Sequence, residues 1–104
     1  MERVAFTMKL HAGREKEYRE RHQSLWPKLK ELLKSVGISE YSIFLDKSTN
    51  VLFGFLKIPN KNSLDELKKS PVMWEWWAFM KDIMDTNADT SPVSHNLEEV
   101  FYLE

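Results

Sequence analysis

Tyr18 and His22 stand four residues apart, and Trp26 follows at the same interval just before Pro27. On a helix, residues four apart share a face. Imidazole ordinarily titrates near neutrality, so it gives or takes a proton with little driving-force penalty. His22 is therefore the first candidate for acid–base chemistry, with the Tyr18 hydroxyl within helical reach to orient a ligand. The same spacing also suits a core histidine satisfied by one hydrogen bond, and the residues alone leave both readings open.

A second group of candidates is aromatic. The chain holds four Trp, three Tyr and six Phe, more than one small core requires. Such a surplus goes to an interface or a ligand pocket. Trp76 and Trp77 are adjacent, so on a helix their indoles project about 100° apart. One can be buried while the other presents a flat apolar face, which suits the C–H surface of a sugar ring, with Nε1–H as a donor. Tyr41 opens a strand, where aromatic residues are common for reasons of packing alone.

Other chemistries lack their residues. The absence of cysteine excludes disulfides, thiolate nucleophiles and cysteine metal sites. His11, His22 and His95 have no metal-ligand spacing. Gly13, Gly37 and Gly54 form no phosphate loop, and Ser24, Ser91 and Ser94 sit in no nucleophile elbow. No metal and no cofactor are expected, which leaves unassisted proton transfer as the simplest reaction class.

Composition narrows the partners. Fifteen Lys and Arg stand against sixteen Asp and Glu, so there is no one-sided basic field for nucleic acid. No apolar run approaches the roughly 20 residues that span a membrane. Met1 to Leu10 carries Glu2, Arg3 and Lys9 in place of the apolar core of a signal peptide. A cytoplasmic protein with a single domain over 1–104 is expected.

The elements that must position these residues follow from periodicity. Residues 3–10 alternate as a strand with Val4, Phe6, Met8 and Leu10 on one face. A helix begins near Arg14 and carries the apolar row Tyr18, His22, Leu25, Leu29, Leu32, Leu33 and Val36, with Gly37 at its end. Pro27 either kinks this helix or ends it near Ser24 and opens a second one. Strands are expected over 41–46 and 51–58, joined by a hairpin loop with Asn50 at positive φ. Ser63-Leu64-Asp65-Glu66 has the form of a capping box for a short helix. Ser70-Pro71 restarts a helix whose apolar stripe extends to Met84, with Trp74 off the stripe. A polar loop over 85–96 precedes a final strand over 97–104.

This order, β-α-β-β-α-β, predicts an α+β ferredoxin-like fold with a four-stranded antiparallel sheet. The 51–58 strand is apolar on both faces, and helices in so small a chain cover only one. A homodimer in which two sheets face each other supplies the missing cover.

Several stretches, taken in order, resemble the L-rhamnose mutarotase family over essentially the whole chain. They are Glu17-Tyr18-x-x-Arg21-His22, Trp26-Pro27, Tyr41-Ser42-Ile43-Phe44-Leu45-Asp46, Trp76-Trp77, Ser91-Pro92-Val93-Ser94 and Glu99-Val100-Phe101-Tyr102-Leu103. The resemblance implies a dimeric α/β-barrel of two ferredoxin-like subunits that interconverts the α and β anomers of L-rhamnose without a cofactor. It implies His22 as proton donor, with Tyr18, Tyr41, Trp76 and Trp77 contacting the sugar. It assigns nothing to His11, Trp74 or His95. The base for the anomeric hydroxyl is not marked: His22 acting in turn, a tyrosine and a water all remain open. Two other functions fit such a scaffold. One is a cofactor-independent dimeric monooxygenase of small aromatic or haem-like ligands, and the other is a non-catalytic sugar-binding dimer.

Overall fold

Apolar alternation produces strand β1 (Glu2–Lys9) in the computed structural model, which describes residues 1–104. Two helices follow, α1 (Glu15–Gln23) and α2 (Pro27–Ser35). Of the two arrangements open at Pro27, the chain takes the break. Ser24, Leu25 and Trp26 are non-helical and Pro27 stands in the first turn of α2, where its missing N–H would have had no helical partner. Strands β2 (Ser39–Asp46) and β3 (Val51–Ile58) form the expected hairpin, with Asn50 at φ 60°.

The next segment departs from expectation. Lys61–Lys69 is a 3-10 helix, and the residue that caps it is Asn60, whose side chain accepts from the Asn62 N–H. Ser63, read as the cap of a Ser-x-x-Glu box, lies inside it. Helix α3 (Pro71–Met80) then ends before Met84. Ile83 and Met84 stay buried because the chain folds back along the end of β1. The Asp85 N–H donates to the Lys9 carbonyl at 2.9 Å, and the His11 N–H to that of Ile83 at 2.8 Å. Burial at helical spacing thus outlasts the helix itself.

With a last strand β4 (His95–Leu97), the sheet is antiparallel throughout, in the order β2-β3-β1-β4, as a ferredoxin-like fold requires. Strand β4 is short, where alternation predicts a strand over 97–104. It pairs with Ala5, Phe6 and Thr7 of β1 only. Beyond Leu97, Glu99 turns to the Arg3 side chain instead of the Arg3 backbone, and the Arg3 guanidinium also lies 3.4 Å over the Tyr102 ring. The alternating pattern of the tail therefore has no strand beside it within this chain.

Helices cover one face of the sheet. Met8, Leu10 and Leu52 pack there with Leu29, Met73 and Met80, and Leu56 and Ile58 form a smaller cluster with Ile38. The opposite face leaves Phe44, Phe53 and Leu97 exposed, Phe44 to 69%.

Candidate active site

Between the sheet and the helices lies an open cleft of about 1550 Å³, reached by all five residues singled out by the sequence. Helix α1 supplies Tyr18 and His22. Their rings stack with centroids 4.2 Å apart, as i, i+4 neighbours on one face. His22 Nδ1 lies 2.9 Å from the Tyr18 carbonyl oxygen. A carbonyl cannot donate, so Nδ1 carries the hydrogen and Nε2 is the nitrogen left for chemistry. Burial lowers the His22 pKa below 6.5, opposed in part by the bond to the Tyr18 carbonyl.

Helix α3 forms the facing wall. Trp76 is 5% exposed and meets His22 edge-to-face, with centroids 5.4 Å apart. Trp26 packs edge-to-face behind Trp76 at 5.1 Å, so this tryptophan shapes the wall from outside the cleft lining. Trp77 is half-buried and lines the cleft. The residue off the stripe, Trp74, has a different part. Its Nε1–H donates to the Lys68 carbonyl at 2.7 Å and its ring stands edge-to-face against Trp77 at 4.8 Å, bracing that indole.

Tyr41 reaches the cleft from the sheet through an irregularity that alternation does not reveal. Ser39 pairs with Lys57 and Ser42 with Phe55, so Glu40 and Tyr41 together oppose Leu56 alone. This is a β-bulge, and Glu40 carries its unusual conformation at φ 49°. The extra residue lets Ile38 and Ile43, an odd number of positions apart, both face the helices, and Tyr41 falls on that side too. One signal in the sequence does mark it: two core isoleucines at a spacing that no regular strand allows. Gly54 completes the support. Phe6 lies opposite it, a Cβ there would overlap the Phe6 ring, and that ring meets Tyr41 edge-on at 6.2 Å.

The polar atoms of three of the five residues share one property. No buried side-chain nitrogen or oxygen lacks a hydrogen-bond partner. Yet His22 Nε2, the Tyr18 hydroxyl and the Trp76 Nε1–H make no bond within the protein, so each keeps some contact with solvent, and all three residues line the cleft. Trp74, by contrast, has spent its donor on a backbone carbonyl. Desolvation raises the Tyr18 pKa well above 10, helped by the nearby Tyr41. Tyr41 is pushed up to about 12 by the protein around it. It is also 39% exposed, as befits the wall of a concave surface that is crowded by protein yet open to water. Both phenols therefore stay protonated and act as donors near neutral pH.

His11 stands apart from this group, whereas His95 also borders the cleft, from β4. His11 pairs with Asp85 at 3.1 Å, and His95 is paired with Thr7 of β1. No cluster of His, Asp and Glu is arranged to hold a metal ion.

The sequence profile described as L-rhamnose mutarotase matches residues 3–103. The chain belongs to the L-rhamnose mutarotase family. It is 54% identical over 104 residues to the L-rhamnose mutarotase of Formosa agariphila, covering 100% of both chains. It is 47% identical, again over 104 residues and 100% of both, to the L-rhamnose mutarotase of Lachnoclostridium phytofermentans. The crystal structure of an L-rhamnose mutarotase from Formosa agariphila superposes with a TM-score of 0.94 at 53% identity, covering 100% of each chain. A conserved protein from Methanosarcina mazei shares the fold alone, with a TM-score of 0.62 at 17% identity over 93% of this chain and 90% of the other.

Proposed function

We propose that this family member interconverts the α and β anomers of L-rhamnose, with His22 transferring the protons and Tyr18, Tyr41, Trp76 and Trp77 holding the sugar. The observation that carries the site assignment is the set of unpartnered polar atoms around the cleft, centred on a histidine whose tautomer is fixed by the Tyr18 carbonyl. Relatives named L-rhamnose mutarotase at about half identity over the full length support the substrate and the reaction.

The chemistry requires no cofactor. Neutral His22 takes the proton of the anomeric hydroxyl at Nε2, and the O–H electron pair becomes the second bond of a C1 aldehyde. The bond from C1 to the ring oxygen breaks, its electron pair stays on that oxygen, and the oxygen takes up a proton. Both oxygens are attached to C1, so protonated Nε2 can return its proton to the ring oxygen. Rotation about C1–C2 and closure in reverse give the other anomer. Desolvation suits this order, because it keeps the imidazole neutral at rest. The tyrosines, held protonated near neutral pH, donate to sugar oxygens, which favours His22 as the base. A positioned acid–base group of this kind supplies about 10²–10⁴-fold.

Magnetisation-transfer NMR on L-rhamnose tests the proposal. The protein is expected to accelerate anomer exchange, and His22→Gln to lose at least about 10²-fold of it. Sugar binding in calorimetry without exchange would replace the enzyme by a binding protein.

A homodimer in which the uncovered sheet faces meet is supported by exposed Phe44, Phe53 and Leu97. A cytoplasmic location is compatible with the absence of any helix long and apolar enough to cross a membrane, and cell fractionation tests it.

A further inference from the structure

We infer that Arg21 is a positioning residue for this reaction, holding the Tyr18–His22 face of α1 against the indole wall of α3. The inference rests on the site reading above and adds to it what sets the distance between its two walls.

Helix α1 is weakly attached by its own means. Its sequence, Glu15-Lys16-Glu17-Tyr18-Arg19-Glu20-Arg21-His22-Gln23, is almost wholly polar, and Tyr18 is its one buried side chain. No side chain caps its N-terminus. A helix of this length does not hold together in isolation and depends on tertiary contacts. Beyond the Tyr18 and His22 rings, which pack on the core and on Trp76, the helix is tied to α3 through Arg21.

Arg21 is enclosed to an extent unusual for an arginine on such a helix, with its side chain 11% exposed. Nη1 donates to the Phe79 carbonyl at 2.6 Å and to Asp82 Oδ1 at 3.0 Å. Nη2 donates to Asp82 Oδ2 at 3.1 Å and to Glu17 Oε1 at 2.6 Å. The guanidinium also lies 4.3 Å from the centre of the Phe79 ring. Asp82 is thus gripped by both arms of the fork, a geometry that a lysine cannot reproduce.

The far end of this grip is the end of the indole wall. Phe79 packs on Trp76 with centroids 5.6 Å apart, and its carbonyl belongs to the last turn of α3, where carbonyls lack helical partners. That turn contains no basic residue of its own. Arg21 brings a positive charge from α1 to the negative end of α3, which the helix dipole favours. Arg21 does not line the cleft, so it acts through His22 and Trp76 and not on the sugar.

The test compares wild-type protein with Arg21→Lys, Arg21→Met, Asp82→Asn and His22→Gln by magnetisation-transfer NMR on L-rhamnose. The two Arg21 variants are expected to lose about 10- to 100-fold in kcat with KM within about threefold, since small misplacements of a reacting group cost rate more than binding. Asp82→Asn is expected to lose about threefold, and Glu20→Gln, which breaks an exposed pair on the same helix, to exchange at the wild-type rate. The His22 ring-proton shifts, which the edge-to-face Trp76 perturbs, are expected to move in the Arg21 and Asp82 variants. Should Arg21→Met fail to fold, Asp82→Asn decides, because its carboxylate is over half exposed. Wild-type kcat and unmoved shifts in Arg21→Lys and Asp82→Asn would overturn the inference. So would a loss that merely follows the unfolded fraction. If His22→Gln alone loses exchange, the site reading stands and the role of Arg21 falls; if His22→Gln exchanges normally, both fall.

Discussion

At the scale of the residue, the decisive property of His22 is that desolvation favours its neutral form, with Nδ1–H tied to the Tyr18 carbonyl. The rate is therefore expected to hold as pH falls to 6.5 and to decline only below it, read as kcat/KM for anomer exchange across pH 5 to 8. Stability follows the same sign. Because the folded value lies below the unfolded one, the contribution of neutral His22 is present above about pH 6.5 and lost as pH falls through the folded value. Urea denaturation of wild type and His22→Gln should thus diverge less at pH 5 than at pH 7.5. Tyr18 separates function from folding, since its hydroxyl has no partner within the protein. Tyr18→Phe is expected to change stability by no more than about 0.5 kcal/mol while lowering kcat/KM about tenfold. Thermal unfolding beside the exchange assay checks both, and a large stability loss would mean the hydroxyl has a structural partner. The Tyr18–His22 spacing was legible because helical neighbours are local. The choice between catalyst and core histidine was not, since it depends on which ring nitrogen is free and on a cleft built from three distant segments.

At the scale of the element, regular patterns read well and interruptions read poorly. The hairpin at Asn50 comes from turn chemistry and the helix start at Pro71 from the fixed φ of a proline in the first turn, while the Ser70 side chain makes no cap bond. Periodicity overruns the end of α3 because Ile83 and Met84 continue its apolar stripe after the backbone has turned away. The bulge at Glu40 escapes simple alternation because it depends on pairing with β3, although Ile38 and Ile43 bear its trace. It is also the element that aims Tyr41 into the cleft, so substitutions there should act on function through backbone geometry. Glycine adopts positive φ freely and a β-branched residue does not. Glu40→Gly is therefore expected to keep both fold and exchange, and Glu40→Val to cost about 1–3 kcal/mol and to raise KM for the sugar. Equal behaviour of the two variants would show that the bulge does not position Tyr41.

At the scale of the whole molecule, the doubly apolar β3 poses a question that one chain does not answer. Leu52, Leu56 and Ile58 meet the helices, while Phe53 and Phe55 point the other way beside Phe44 of β2. Phe44 and Phe53 are exposed in the single chain, as are Leu97 and, in the tail, Val100, Phe101 and Leu103. Soluble monomers rarely leave a large apolar patch open to water. A stable interface buries about 800 Å² per partner. A second copy related by a twofold axis places each face against its own image, so a charge introduced at the centre is met by the same charge across the axis. Phe53→Asp is therefore expected to yield monomers by light scattering at micromolar concentration where the unaltered protein gives dimers. Its circular dichroism should stay unchanged, because Phe53 takes no part in the core on the helix side. An unaltered protein that is itself monomeric under these conditions would remove the dimer. The catalytic consequence divides cleanly. His22, Tyr18, Tyr41, Trp76 and Trp77 all come from one chain and from the covered side of the sheet, so a folded Phe53→Asp monomer should retain exchange if the cleft is self-sufficient. Loss of exchange in that folded monomer would instead mean that the second sheet holds Tyr41 and its bulge in place from behind.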